Sequence, residues 1–288
     1  MVENTIEMLD NVPETFELPA CEDPLVSVVI PVYNQYAYTH TCVYSILKHT
    51  PANIPYEVVI LDDCSTDETQ TIKEKIKNIQ VYRNQTNQGF LKNCNTYIPK
   101  ARGKYVFLLN NDTEVTKGWL ESTLEALKEP SIGLTTSCVL NVDGTIQAAG
   151  WMLSSEGRNY PNYDGLSPIY LTNKVFEVSL AYGCAMCFEK STWEELNGFD
   201  EFFMPAYCEE SDFSMRVLYQ LKKHVVCVGN SRIFHYGGVS YMATSEANKG
   251  TELFRKNWEK FCTRWQKQIA EDEMPKEKLK EYLEGIIA

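Results

Sequence analysis

Three apolar runs, each followed directly by polar residues, constrain most strongly how this chain can fold. They are residues 25–30 (LVSVVI), residues 57–61 (EVVIL) and residues 105–109 (YVFLL). Continuous runs of this kind are typical of strands that are buried on both faces of a parallel sheet. Residues 38–49 and 89–101 have helical patterns, and residues 80–83 are expected to form a short third strand. The alternation of predicted strands and helices along the chain predicts an α/β protein with a doubly wound, mostly parallel sheet.

The polar residues that follow these runs predict where the chemistry lies. Pro31 is expected to end the first strand, and the residues after the three strands are Pro31–Asn34, Asp62–Ser65 and Asn110–Asp112. Ligands of open α/β sheets bind beyond the carboxyl ends of the strands. A binding site is therefore expected where these three loops meet.

The charge of the chain excludes one class of partner. The formal net charge is −12 over 288 residues, and a strongly acidic surface repels nucleic-acid backbones. The N-terminus lacks an apolar signal segment, and no apolar run has the roughly 20 residues that cross a bilayer. We therefore expect a cytoplasmic protein with reduced cysteines, among which Cys184 and Cys187 are interpreted as buried small side chains rather than half a zinc site.

The chain divides into four segments by pattern. Residues 1–24 are an extension, residues 25–115 form one half of a globular domain, residues 116–248 form its other half, and residues 249–288 form a charged helical tail. In the second half we expect helices at 116–128, 191–196 and 209–221, the second with Ser191 as N-cap. Strands are expected at 132–140, 224–228 and 233–235, with loops or hairpins at 141–173.

Six short motifs occur in a characteristic order. They are residues 26–34 (VSVVIPVYN), 62–67 (DDCSTD), 89–95 with 101–105, 197–201 (NGFDE), 209–216 (EESDFSMR) and 235–240 (HYGGVS). Together they resemble the inverting family 2 glycosyltransferases. The resemblance covers about three-quarters of the chain and implies the GT-A fold, a Rossmann-like, mostly parallel twisted sheet flanked by helices in a single domain.

The resemblance implies a divalent cation, Mn²⁺ or Mg²⁺, that neutralises the diphosphate of a nucleotide-sugar donor. Asp112 is the expected ligand. The family's usual pair of aspartates is reduced here to Asn110-Asn111-Asp112, so weaker metal affinity is expected. Asn111 is expected to hydrogen-bond the ribose or to reach the ion. His235 is expected to bind the metal or the diphosphate.

The donor nucleotide is expected to bind at the first two loops. Asp63 is predicted to accept the N3–H of a uracil or thymine base, which indicates a UDP- or dTDP-sugar. Tyr33 either packs against the base or lies in the core, and Pro31 and Asn34 shape the loop. Asp62 and Asp67 have either a nucleotide role or a structural one.

Glu210 aligns with the family's catalytic aspartate, and we predict that it is the general base. Glu209 flanks it on the acceptor side, and clustered acids raise one another's pKa. Asp200 and Glu201 are expected to hydrogen-bond hydroxyls of a glycan or lipid-linked acceptor. The predicted function is sugar transfer in surface polysaccharide synthesis.

Three other functions are compatible with an α/β chain of this kind. A nucleotidyltransferase would carry a Gly-rich basic loop after the first strand, and a dinucleotide-dependent oxidoreductase would carry G-x-G-x-x-G there; neither is present. A catalytically weak nucleotide-sugar-binding module in a glycan assembly complex stays open because of the single carboxylate, Asp112.

The tail carries a helical apolar stripe formed by Trp258, Phe261, Trp265 and Ile269. Such a stripe usually packs on its own domain. It is also a candidate contact for a partner subunit or for the inner face of a membrane, where lipid-linked acceptors reside.

Overall fold

A computed structural model describes residues 9, 11–237 and 247–271. Its strands are β1 (Phe16–Glu17), β2 (Val26–Val32), β3 (Tyr56–Asp62), β4 (Ile76–Lys77), β5 (Gln80–Arg83), β6 (Tyr105–Leu109), β7 (Thr113–Val115), β8 (Ile132–Leu140), β9 (Ile146–Ala148), β10 (Trp151–Leu153), β11 (Asn159–Pro161), β12 (Val175–Glu177), β13 (Ala185–Glu189) and β14 (His224–His235). Its α-helices are α1 (Tyr36–His49), α2 (Ile72–Lys75), α3 (Phe90–Tyr97), α4 (Trp119–Ala126), α5 (Lys190–Glu195), α6 (Glu209–Tyr219), α7 (Ala247–Arg264) and α8 (Gln266–Glu271).

The predicted parallel sheet is confirmed. Strand β2 pairs in parallel with β3 and with β6, and β3 pairs in parallel with β5. The main sheet runs in the order β12-β14-β8-β13-β6-β2-β3-β5. The carboxyl ends of β2, β3 and β6 therefore lie at one edge of the sheet.

The second half of the chain extends the same sheet with mixed pairing. Strand β13 is antiparallel to both β6 and β8, whereas β14 is parallel to β8. The two strands expected at 224–228 and 233–235 are one strand, β14, which is interrupted by a register shift between Val228 and Arg232. A bulge of this kind bends a strand without ending it, which explains why the two halves of its apolar pattern look separate in the sequence.

Apolar side chains cover both faces of the sheet. One cluster contains Val29, Leu61, Leu108, Phe199 and Phe213, and the other contains Ile30, Ile60, Phe107, Trp119 and Ile233. Consecutive residues of β2 contribute to opposite clusters, as the period-two alternation of a strand requires. This burial accounts for the continuous apolar runs in the sequence.

Two details of the predicted elements are wrong. Pro31 does not end the first strand, because β2 continues to Val32; Pro31 lies beyond Val29, the last residue paired with β6, where a missing N–H costs little. Ser191 is not an N-cap, because α5 already begins at Lys190. The backbone N–H of Lys190 donates to the carbonyl of Lys104 at 2.8 Å, so the helix starts directly after the strand.

The apolar stripe of the tail packs on the domain. Phe261, Trp265 and Ile269 are buried, and the indole N–H of Trp258 donates to the carbonyl of Gly157 at 3.0 Å. This face is therefore not available for a membrane or a partner subunit, which corrects that alternative. Among the helices of the described residues, none has an apolar stretch that could cross a bilayer. Residues 238–240 of the last motif and residues 272–288 of the tail lie outside the described residues.

Candidate active site

Asn34 joins the loops that follow β2 and β3. Its backbone N–H donates to Oγ of Ser65 at 2.8 Å, and its Oδ1 accepts the backbone N–H of Thr66 at 2.7 Å. The φ of Asn34 is 59°, in the left-handed region that asparagine tolerates better than most residues. The two loops expected to bind the nucleotide are thus fixed to each other.

Tyr33 lies on the solvent side of this edge. Its side chain is 44% exposed, so it is not a core aromatic. Pro31 is half-buried on the strand just before it. An exposed ring beside two polar loops is available to contact a planar ligand, whereas the core interpretation of Tyr33 is wrong.

Asp62 and Asp67 both shape the second loop. Asp62 accepts the backbone N–H of Ser65 at 2.8 Å and pairs with Arg83. Asp67 caps the turn that follows, because its Oδ1 accepts the N–H of Thr69 at 3.0 Å. The contacts of these two carboxylates favour the structural alternative.

Asp63 anchors a third segment at the same edge. Its carboxylate is only 4% exposed, and it accepts hydrogen bonds from the Asn84 side chain at 2.7 Å and from the backbone N–H groups of Gln88 and Gly89, both at 2.8 Å. A carboxylate offers about four acceptor positions, so one remains. Its binding of a base N3–H stays a prediction.

The start of α3 packs on the segment that leads to α6. Gly89 has a φ of 83°, and a Cβ placed there would lie 3.0 Å from Cβ of Pro205. The backbone N–H of Leu91 donates to the carbonyl of Pro205 at 3.3 Å. The turn held by Asp63 is therefore in contact with the segment that precedes Glu209 and Glu210.

The loop after β6 meets the opposite side of the same region. The backbone N–H of Asn110 donates to the carbonyl of Cys184 at 2.8 Å. Asn111 donates its side-chain amide to Oγ1 of Thr39 at 3.0 Å. Asp112 is 5% exposed. Because the amide nitrogen of Asn111 is bonded to Thr39, the predicted contact with ribose or metal would be made by its amide oxygen.

Asp112 and His235 face each other. Nε2 of His235 lies 3.3 Å from Oδ1 of Asp112. This nitrogen is buried and has no hydrogen-bond partner. On the other side of the ring, Nδ1 lies 2.7 Å from Oε1 of Gln147. The structure thus brings together the two residues that were predicted as metal ligands.

The pair fits a divalent cation that also binds the substrate. Two cis ligands of an octahedral ion with bonds of about 2.1 Å lie about 3.0 Å apart, close to the separation of these two atoms. Within the described part of the chain, no group of three or more His, Cys, Asp or Glu side chains could hold a metal. Two protein ligands suit an ion whose remaining ligands are phosphates and water.

The two acids at the start of α6 lie between these loops. A Cβ placed on Gly183 would lie 2.7 Å from Cγ of Glu210, so the side chain of Glu210 rests on the segment that holds Asn110. Tyr207 and Cys208, which precede the helix, have φ values of 75° and 70°. Asn257 of α7 holds this turn by donating to the carbonyls of Phe203, Ala206 and Tyr207 at 2.8, 2.8 and 3.1 Å.

Burial changes the acid–base properties of this pair. Desolvation raises the pKa of Glu209 well above its usual value, and the charge of Glu210 adds to the effect. Desolvation also raises the pKa of Glu210, although hydrogen bonds from its own backbone and from Ser211 act against it. A carboxyl group whose pKa is raised is suited to accept a proton near neutral pH.

Two buried cysteine thiols have pKa values that are affected by the acids of this edge. Burial raises the pKa of Cys94 on α3, and the charges of Glu209 and Asp63 raise it further. Burial likewise raises the pKa of Cys184, to which the charges of Asp112 and Glu210 add. Asp63 and Glu209 therefore lie near Cys94, and Asp112 and Glu210 lie near Cys184.

Asp200, one of the acids predicted to bind the acceptor, is bonded to Phe202 and to Arg264. Asp200 accepts the backbone N–H of Phe202 at 2.8 Å and pairs with Arg264 of α7 at 2.8 Å, while Glu201 is exposed. Asp212, which follows Glu210 on α6, is fully buried and pairs with Arg216 and Arg264. Asp200 and Asp212 are thus both paired with Arg264 of α7, and Asp212 is also paired with Arg216.

Sequence reasoning missed two residues of this site. Gln147 contacts His235 from the short strand β9, and Gly183 contacts Glu210. Both lie in regions without a motif, and neither residue type signals chemistry by itself. Only the pairing of β9 with β8, which the sequence pattern does not specify, brings Gln147 close to β14.

The mostly parallel sheet, its antiparallel β13 and the acidic loops at its carboxyl edge define the GT-A fold of glycosyltransferases. Two solved structures share it: GalNAc-T7 with UDP, GalNAc and Mn²⁺ has a TM-score of 0.61 at 21% identity, covering 75% of this chain and 44% of that one. TarS 1–349 of S. aureus in complex with UDP has a TM-score of 0.54 at 21% identity, covering 73% and 60%.

The chain belongs to glycosyl transferase family 2, whose family model matches residues 27–186. TuaG of Bacillus subtilis (strain 168), a glycosyltransferase assigned to teichuronic acid biosynthesis, is 37% identical over 128 residues, covering 42% of this chain and 50% of TuaG. Chondroitin synthase of Escherichia coli is 31% identical over 181 residues, covering 62% and 24%. The chain thus matches half or less of the length of these two relatives.

Proposed function

We propose that this chain is an inverting, metal-dependent glycosyltransferase that moves a sugar from a UDP- or dTDP-sugar to a hydroxyl of a glycan or lipid-linked acceptor. The observation that carries the proposal is a set of contacts around the start of α6, where Glu210 lies: the turn held by Asp63 contacts Pro205, and the loop of Asp112 bonds to Cys184 beside Gly183, which contacts Glu210. Family membership supports the reaction class.

The donor would lie along the carboxyl edge of the parallel strands. The remaining acceptor position of Asp63 would take the N3–H of the base, which cytosine lacks. Tyr33, exposed beside it, would pack against the base. Pro31 and Asn34 give this loop its shape, and Asn111 would contact the ribose through its amide oxygen.

Asp112 and His235 would hold a divalent cation, Mn²⁺ or Mg²⁺. When bound, such an ion neutralises the charge that develops on the departing diphosphate. GalNAc-T7 and the mannosyltransferase PcManGT of Pyrobaculum calidifontis were solved with Mn²⁺, which supports the assignment. The presence of only one carboxylate here leads us to expect weak affinity for Mn²⁺ in the absence of a nucleotide.

Glu210 would act as the general base. Its carboxylate takes the proton of the acceptor hydroxyl while the acceptor oxygen attacks the anomeric carbon, and the bond from that carbon to the diphosphate oxygen breaks. The nucleoside diphosphate leaves with the electron pair, and the configuration at the anomeric carbon inverts. Glu209, Asp200 and Glu201 would bind hydroxyls of the acceptor.

The acceptor class is inferred from the relatives. TuaG is named for teichuronic acid, and TarS of Staphylococcus aureus, 33% identical over 107 residues, is named for poly(ribitol-phosphate). Both names refer to polymers of the cell surface. We therefore propose that this chain acts in surface polysaccharide synthesis; a cytoplasmic location is part of the proposal and does not rest on these names.

A second candidate is a nucleotide-sugar-binding module with little turnover, which the single carboxylate of Asn110-Asn111-Asp112 favours. One experiment separates the two functions. The chain is screened against UDP-, dTDP-, GDP- and CMP-sugars by thermal shift with and without Mn²⁺, and nucleotide release is followed for each donor that binds.

We expect a UDP- or dTDP-sugar to raise the melting temperature only when Mn²⁺ is present. A ligand at a hundred times its Kd adds about 2.7 kcal/mol of stability, which gives a shift of several degrees. Slow nucleotide release supports the enzyme, and binding without release supports the module. Absence of binding by every donor would refute both functions.

A further inference from the structure

Gln147 lies behind His235 and has a fixed orientation. Its Nε2 donates to Oδ1 of Asn141 at 3.2 Å and to the backbone carbonyl of His235 at 3.5 Å. The carbonyl oxygen of His235 only accepts hydrogen bonds. Asn141 is oriented in turn, because its Nδ2 donates to Oγ1 of Thr145 at 3.0 Å. The amide nitrogen of Gln147 therefore faces Asn141, and its oxygen faces the ring of His235.

The amide oxygen of Gln147 accepts two hydrogen bonds. The hydroxyl of Tyr182 donates to it at 3.0 Å, and Nδ1 of His235 lies 2.7 Å away. The ring of Tyr182 also packs edge-on against His235, with ring centroids 5.8 Å apart and planes at 89°. Since an amide oxygen cannot donate, Nδ1 of His235 must carry the proton in this contact.

A neutral imidazole holds one proton, so the lone pair of His235 then lies on Nε2. This is the buried nitrogen without a hydrogen-bond partner, 3.3 Å from Oδ1 of Asp112. Two acceptor atoms that face each other at this distance repel unless a cation or a proton lies between them. The partner of the opposite ring nitrogen thus determines what Nε2 can bind.

We propose that Gln147 is a positioning residue that fixes the Nδ1–H tautomer of His235, so that Nε2 and Asp112 form a two-ligand site for a divalent cation. The inference rests on the proposed function for the identity of the ion, but the tautomer can be measured without any transfer reaction. Metal-binding histidines commonly donate their second N–H to an oxygen, and loss of that oxygen costs about 10–100-fold in metal affinity.

The tautomer can be read directly by NMR. The chain has four histidines, so the full chain labelled with ¹⁵N-histidine gives few signals, and His235→Asn assigns the one in question. At alkaline pH and without metal, we expect a protonated Nδ1 and an unprotonated Nε2 for His235. In Gln147→Met, which has similar length but no amide oxygen, we expect the signal to move toward the Nε2–H form, which can donate to Asp112.

Metal binding provides the second measurement. Titration of Mn²⁺ into the full chain with saturating UDP is followed by electron paramagnetic resonance. We expect Gln147→Met to bind Mn²⁺ about tenfold more weakly or worse, and Gln147→Glu, which keeps an oxygen beside Nδ1, to recover most of the affinity. The matched control is Gln266→Met, the same substitution at an exposed glutamine of α8.

The results that would overturn the proposal are distinct from failure of the proposed function. An Nε2–H tautomer in the wild-type chain, or unchanged tautomer and Mn²⁺ affinity in folded Gln147→Met, contradicts it. If Gln147→Met fails to fold, the wild-type tautomer and the Gln147→Glu variant still decide. A chain that shows the Nδ1–H tautomer and binds Mn²⁺ but transfers no sugar refutes the enzyme and leaves this inference standing.

Discussion

Gly183 lies directly against the side chain of Glu210, because a methyl group on Gly183 would sit 2.7 Å from Cγ of Glu210. Carbon atoms in contact are normally about 3.5–4.0 Å apart. Because glycine has no Cβ, the side chain of Glu210 can occupy the space beside residue 183. The position of the proposed base depends on a residue from outside its own helix.

Gly183→Ala is expected to displace Glu210 and to lower kcat at least tenfold, because displacement by about 1 Å can cost a hundredfold in rate. The Kd of the donor should change less than kcat, because the added methyl group meets the side chain of Glu210 first. The measurements are kcat and the Kd of the donor. A kcat within twofold of the wild-type value would show that Glu210 tolerates the shift or is not the base.

Asn257→Ala is expected to loosen the turn before α6. The side chain of Asn257 is fully buried and donates to three carbonyls, which would lose their partner. We expect a loss of about 1–3 kcal/mol in the free energy of unfolding, measured by urea denaturation. Asn257→Asp should be no better, since a carboxylate cannot donate; near wild-type stability in Asn257→Asp would contradict this role.

The raised pKa of Glu210 has a consequence for the pH profile. Transfer requires the ionised carboxylate, so kcat should fall as the pH drops through the raised pKa. The fall should begin above the usual glutamate pKa of about 4.3. The check is kcat at saturating donor and acceptor, with the melting temperature recorded at each pH. A flat profile down to that usual value would be inconsistent with Glu210 as the base.

Glu209 should make the fold less stable as the pH rises. Its folded-state pKa is raised, so the folded chain holds this proton more tightly than the unfolded chain. The stabilisation is complete below the unfolded pKa and is lost as the pH rises through the folded value. Relative to Glu209→Gln, the wild-type chain should lose stability in urea denaturation as the pH rises above the usual glutamate pKa of about 4.3. A constant difference would contradict the raised pKa.

The sheet was predictable because burial on both faces leaves a clear pattern. The runs at 25–30, 57–61 and 105–109 became β2, β3 and β6, each within two residues of its predicted bounds. The interruption of β14 was not predictable, because a bulge depends on the neighbouring strand. The C-terminal stripe was identified as a helical face, but only the packed structure shows that Phe261 and Trp265 are covered.

The site was predictable where it coincides with strand ends and motifs. Asp63 and Asp112 come shortly after β3 and β6, and His235 is the last residue of β14, so the topology brings all three to one edge. The supporting contacts are different, because Gln147 and Gly183 reach the site through tertiary packing that no local pattern encodes. The hydrogen bonds from the backbone N–H groups of Gln88 and Gly89 to Asp63 were likewise not predictable, because every residue except proline carries such a donor.

The most direct test of the account is sugar transfer by Glu210→Gln. The matched control is Glu125→Gln, an exposed acid on α4 that pairs with the surface residue Lys128. With the donor found by screening and Mn²⁺ present, we expect Glu210→Gln to keep the fold and the donor affinity but to lose transfer by a factor of at least about 10², while the control stays at the wild-type rate. Transfer by Glu210→Gln at near the wild-type rate would contradict the assignment of the base.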